Sequence, residues 1–171
     1  MVRLVFALSA ALALSACAAE AGAPPDEPAA LELTGRVVDA AEILTPAFEA
    51  RLTDTLADLE TDTKVQMIVA TTPDLKGEDI ADYSLALGNA WGIGDAQRND
   101  GLMLVVAPNE RRVRIEVGLG LEDTVTNKEA AQIIEKDILP YFRLGQFEKG
   151  VMKGVEGLSR EIAPTELKEA A

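Results

Sequence analysis

Histidine is missing altogether from the 171 residues, and cysteine occurs once, at Cys17. A chain without an imidazole cannot build Ser-His-Asp or Cys-His nucleophilic catalysis, a histidine phosphatase or a His-ligated zinc centre. A single thiol makes no internal disulfide and no thiolate zinc cage. Basic charge is scarce too: 16 Lys and Arg stand against 29 Asp and Glu, a formal net charge of −13. A phosphate backbone or an anionic bilayer surface repels such a domain at long range, which excludes nucleic acid as a partner class. An ionic partner is then a cation or a basic protein surface, although an acidic, solubility-giving exterior accounts for the same charge. Aromatics make up only 4%, yet 48% hydrophobic residues over this length suffice for one domain with a real core.

What is present begins with a leader. Arg3 precedes the apolar run "LVFALSAALALSA", which is shorter than the roughly 20 residues a membrane-spanning helix needs and ends in small residues, as a signal peptide does. Its end, Leu14-Ser15-Ala16-Cys17, resembles the bacterial lipobox, in which the cysteine is lipidated and becomes the new N-terminus. Residues 1–16 are thus expected to be a signal peptide, and Cys17 the lipid-bearing residue of a flexible linker, 17–33, rich in Ala, Pro and acids. That places the protein in the cell envelope on the periplasmic side, held to the membrane by lipid. Ala18 after the cysteine points to the outer membrane where there are two. The folded domain is expected over 34–163, with a polar tail at 164–171.

A short apolar segment, "GRVVDAAEIL", leads into it, and Thr45-Pro46 opens a helix as N-cap and first residue, with Phe48, Leu52, Leu56 and Leu59 on one face. "KVQMIVATTP" reads as a buried strand ending at Pro73. A helix from about Gly77 to Trp91 buries Ile80, Ser84, Leu87 and Trp91, and "GLMLVVAP" is a second strand, parallel to the first through a right-handed crossover. "PNER" then turns the chain into "RVRIEVG", a half-solvated outer strand. A capping box from Thr126 to Glu129 starts a helix carrying Ala130, Ile133, Ile134 and Ile138, which Pro140 is expected to end. A last helix carries Phe147, Val151, Val155, Leu158 and Ile162.

If Ala107 pairs near Arg112 in that hairpin, Gly101 lies opposite about Gly118, so the loops "RNDG" and "GLGLED" meet at one rim. Asn99, Asp100, Glu122 and Asp123 come into one neighbourhood. Crowded carboxylates cost free energy unless a cation bridges them or protons are taken up. A hard cation such as Ca2+ takes oxygen ligands of this kind, including carbonyls at Gly118 and Gly120, but a solvated acidic rim has the same composition. Arg112 and Arg114 share one side of their strand and could clasp a phosphate, or simply protect an edge strand from pairing.

The segments "GRVVDAAEIL", "WGIGDAQRNDGLMLVVAP", "RVRIEVGLGLED" and "ILPYFRLGQFEKGV" follow the order and spacing of the TPM domain family, which the chain resembles from about Thr34 to Ile162. The resemblance implies an α/β fold, a three-layer α/β/α sandwich around a small mixed sheet. It associates the chain with weak acid-phosphatase activity, calcium binding, and repair or modulation of membrane complexes, roles too various for the fold to choose among. Carried over, the family's acidic positions fall on Asp39, Asp100 and Glu122, which adds Asp39 to the rim; where relatives often have an acid before the late helix, this chain has Asn127. The expected metal set is Asp39, Asn99, Asp100, Glu122 and Asp123. Two functions are open: a lipid-anchored, calcium-associated accessory module acting on a membrane or envelope protein complex, and a metal-dependent phosphomonoesterase in which Asp39, Asp100 and Glu122 hold the ion and Arg112 or Arg114 steadies the phosphoryl group.

Overall fold

The computed structural model describes residues 31–163. Cys17, the leader, most of the linker and the polar tail lie outside the described residues. Strand β1, Val37–Asp39, is the first element of the described residues, followed by α1, Pro46–Thr63, and β2, Met67–Thr71. Then come α2, Ile80–Trp91, β3, Leu102–Ala107, and β4, Arg112–Val117. A 3-10 turn, Leu119–Leu121, leads to α3, Asn127–Ile133, a π turn, Ile134–Ile138, α4, Leu139–Phe142, and α5, Phe147–Ile162.

The four strands lie in the order β1-β2-β3-β4, the first three parallel and β4 antiparallel to β3. Both faces are covered. On one, Met67, Val69, Leu102, Leu104, Val106 and Ile115 pack against Phe48, Leu52 and Leu56 of α1 and Val151, Val155 and Leu158 of α5. On the other, Ile68, Ala70, Met103 and Val105 meet Ile80 and Leu87 of α2. Every residue of β2 and β3 is buried, as a parallel sheet between helix layers requires. At roughly 1.5–3 kcal/mol for each large apolar side chain removed from water, these two layers supply most of the driving force. Among the described residues, no helix is long and apolar enough to cross a membrane.

Several local expectations hold. Thr45 caps α1, its hydroxyl accepting from Phe48 N at 3.3 Å, and the Thr126–Glu129 capping box forms in both directions. Ala107 pairs with Arg112, the hairpin register inferred above. Two boundaries differ. The second helix starts at Ile80, because Asp79, expected inside the first turn, is its N-cap and accepts from Ala81 N at 2.8 Å. Pro140 does not end the third helix. The chain passes through the π turn, and Pro140 falls in the first turn of α4, where its missing N–H leaves no helical bond unmade. The short β1 was not separable from its flanking apolar residues, since three residues carry too little alternation to read.

Candidate functional site

The rim where β3 begins and β4 ends is tied together by backbone. Gly118 N donates to Gly101 O at 2.8 Å and Gly120 N to Asn99 O at 2.9 Å. A Cβ on Gly120 would fall inside the Arg98 carbonyl oxygen, and one on Gly118 inside that of Asn99. The two glycines are therefore required by close approach of two backbones, not to free carbonyls for an ion. Gly118 O itself accepts from Leu121 N at 2.8 Å, closing the 3-10 turn.

The acidic side chains around this knot diverge. Asp100 is buried, 7% exposed, and both its oxygens are committed: Oδ1 accepts from Asp95 N at 2.8 Å and Oδ2 from Arg98 Nε at 2.5 Å. Burial pushes its pKa up, but the Asp95 N–H and the Arg98 guanidinium together outweigh burial and hold the carboxyl below its ordinary range. Asp95 is likewise held low by the N–H groups of Gln97 and Arg98. Asp100 borders a shallow depression with Lys64, Gly120 and Thr124, whereas Asn99 and Glu122 border a different groove. Asp123 is exposed and lies with Glu122, Arg114 and Asn127 about a third hollow.

Asp39 is not at this rim at all. In the parallel register Asp39 stands beside Thr71, and Thr71 beside Val106, so it lies at the far end of β3 from Asp100. Six residues of strand separate those levels, about 20 Å at the usual rise. There the carboxylate organises the β1–α1 connection: it accepts from Thr71 Oγ1 at 2.5 Å, Leu44 N at 2.8 Å and Ile43 N at 3.3 Å. Asp39, Asn99, Asp100, Glu122 and Asp123 thus do not converge, and among the described residues no three His, Cys, Asp or Glu groups are gathered to hold a metal ion. As a set they do not fit a calcium cage. Arg112 and Arg114 separate as well: Arg114 Nε pairs with Glu116 Oε2 at 3.0 Å, while Arg112 lines a cavity at the opposite end of the hairpin.

What the rim does offer is a groove of about 330 Å3 between α2 and the glycine knot. Leu85, Asn89 and Ile93 form one wall, and Asn99, Leu119 and Glu122 the other. Leu85 is 52% and Leu119 73% exposed, so two large apolar side chains face water across one depression. Leu119 is held out because the glycines on either side bind backbone to backbone, leaving the residue between them no interior to enter. Glu116, at the groove floor, is already satisfied by Ser84 Oγ at 3.0 Å and Arg114; Glu122 makes no ion pair among the described residues. Neither Leu85 nor Leu119 is among the site residues expected from the sequence. The signal was there: Leu85 falls off the Ile80-Ser84-Leu87-Trp91 stripe, and Leu119 is an apolar residue enclosed by two glycines in a loop.

A sheet of this order, wrapped by α2 on one side and α1, α3 and α5 on the other and closed at one rim by crossing glycine loops, defines a three-layer α/β/α domain. The family model of the TPM domain matches residues 37–161, and the chain belongs to the TPM domain family. It is similar to the N-terminal domain of a protein from P. gingivalis, with 32% identity and a TM-score of 0.70 over 75% of this chain and 82% of that one. The N-terminal domain of the cg2496 protein from Corynebacterium glutamicum shares the fold at 14% identity and a TM-score of 0.61, over 82% of this chain and 86% of that chain. The BA42 protein from Bizionia argentinensis does so at 21% identity and a TM-score of 0.63, over 71% and 82%. No protein of curated function matches the chain.

Proposed function

We propose that this TPM domain is a binding module rather than an enzyme: tethered to the envelope membrane by lipid at Cys17, it docks its rim groove on a membrane or envelope protein complex. The observation that carries the reading is the facing pair Leu85 and Leu119, both exposed across a groove whose floor is rigid and whose edge carries the unpaired Glu122. Exposed apolar side chains gathered in one depression mark interaction sites, and a fixed backbone lowers the ordering cost of binding. The complementary partner segment presents an apolar side chain next to a Lys or Arg. The chain's net charge of −13 favours such a surface at long range.

Cross-linking of the full chain in its own membranes tests this. A single dominant membrane protein is expected, and its yield falls about tenfold or more in a Leu85→Ser, Leu119→Ser double variant, the loss of two apolar anchors. An equal yield from the double variant contradicts the proposal.

Calcium forms no part of it, because only Asn99, Glu122 and Asp123 of the expected ligands remain on the exposed side of the rim. The phosphomonoesterase reading needs Asp39, Asp100 and Glu122 around one ion, and their separation weighs against it. Hydrolysis of a phosphate ester that disappears in both Asp39→Asn and Glu122→Gln would restore it.

A further inference from the structure

Eight arginines lie among the described residues. Arg36, Arg98, Arg114 and Arg160 each meet a carboxylate at 2.5–3.0 Å, and Arg51 lies over the Phe48 ring at 5.7 Å. The remaining three, Arg111, Arg112 and Arg143, have no ion pair or side-chain hydrogen bond among the described residues, and all three line one cavity of about 610 Å3. That volume is within the range of small-molecule pockets. Its apolar lining includes Leu139, Phe142 and Phe147, with the two rings packed edge to face at 5.2 Å.

Three features make this more than a chance of surface composition. First, none of the acids among the described residues lines the cavity, and Glu110 beside Arg111 accepts from Leu75 N at 3.1 Å instead. Three like charges around one cavity repel unless an anion enters. Second, Arg111 is held at φ +55°, in the hairpin turn closed by Arg111 N to Pro108 O at 3.2 Å. Glycine or asparagine is the ordinary occupant of a left-handed turn position, and an arginine there is conformationally unfavourable. Because Arg111 belongs to the turn and Arg112 opens β4, the two consecutive residues serve the same cavity, where a regular strand sends neighbours to opposite faces. Third, the acid in the first turn of α5, Glu148, accepts from Thr45 N at 2.9 Å and from the Thr45 hydroxyl at 2.6 Å and does not line the cavity, although its neighbour Phe147 does.

We propose that this cavity binds a small organic anion, a carboxylate or phosphate-type group attached to an aromatic or short alkyl body. The anionic group is held among Arg111, Arg112 and Arg143, whose planar forks suit two-oxygen anions, and the body rests on Leu139, Phe142 and Phe147. The site is at the opposite end of the hairpin from the rim groove and stands independently of the docking proposal.

Calorimetric titration of the full chain with phenylphosphonate, which cannot be hydrolysed as an ester, is the test. Binding with Kd of about 1 mM or tighter is expected, with inorganic phosphate and benzyl alcohol each roughly tenfold weaker or more. Arg143→Gln and Arg111→Gly each weaken binding about fivefold or more, and Arg114→Gln leaves it unchanged. Because Arg111→Gly relieves the left-handed backbone, its melting temperature stays at or above that of the unsubstituted chain, which separates lost binding from lost folding. Absence of binding at millimolar phenylphosphonate overturns the proposal. So does equal affinity in Arg143→Gln, and inorganic phosphate binding as tightly as phenylphosphonate removes the role given to the rings.

Discussion

At the end of the sheet where β3 starts and β4 finishes, polar groups are consumed internally: Asp100 by Arg98 and Asp95, Asn99 O by Gly120, Glu116 by Ser84 and Arg114. At the other end of the same hairpin, three guanidiniums stand without ion-pair or hydrogen-bond partners among the described residues, around a largely apolar cavity. The contrast teaches that acidity of the sequence is a poor guide to where charge is available. At the rim, Asp95, Asp100 and Glu116 are spent on local hydrogen bonds, whereas the three arginines that have neither a carboxylate nor a ring partner among the described residues line one cavity.

The largest expected effect falls on the closed end. Gly120→Ala sets a Cβ into the Arg98 carbonyl, and the two backbones have to part; a loss of about 3 kcal/mol or more is expected in denaturant unfolding. A variant as stable as the original would show that the rim is not locked. Thr71→Val comes next: its fully buried hydroxyl bridges Ala41 N, at 2.9 Å, to Asp39, and its removal costs about 1–2 kcal/mol, seen as an earlier urea midpoint.

Acid titration separates the same features by charge. Asp95, Asp100 and Glu148 all have carboxyls held below their ordinary range, Glu148 by the Thr45 hydroxyl and N–H. Groups depressed in the folded state contribute stability that is complete above about pH 4 and is lost as pH falls through their folded-state values. Thermal melts between pH 7 and 3 should therefore steepen downward below about pH 4, and Asp100→Asn combined with Glu148→Gln should flatten that fall. Parallel curves would remove the charge-based account of these carboxyls. The smallest effect belongs to the exposed leucines: Leu119→Ser changes unfolding free energy by about 0.5 kcal/mol or less, so its effect on partner capture is not a folding effect.

Much of the architecture was legible before any coordinates, for physical reasons that can be named. β2 and β3 are continuous apolar runs because both sheet faces are covered, and the helices with a strong stripe or cap, α1 and α5 above all, show their periods directly. The meeting of the two glycine loops followed from hairpin register alone. The direction of side chains within that meeting did not. Whether Asp100 turns toward Arg98 or toward Glu122 depends on the left-handed backbone of Asn99, at φ +49°, which no spacing rule supplies. Asp39 was misplaced because the family pattern gives order along the chain, while its level in the sheet is set by the β1–β2 register. The arginine cavity was half visible: Arg112 stands out in the sequence, but its companions come from the left-handed turn at Arg111 and from Arg143, beyond α4.

The docking proposal is tested most directly by a photo-cross-linking residue placed at position 119 and, in a second variant, at position 144. Leu119 and Leu144 are almost equally exposed, at 73% and 71%, but only Leu119 lines the rim groove. In native membranes, the account predicts one dominant adduct from position 119 and none of comparable yield from position 144. Equal yields of the same adduct from both, or none from position 119, would contradict it.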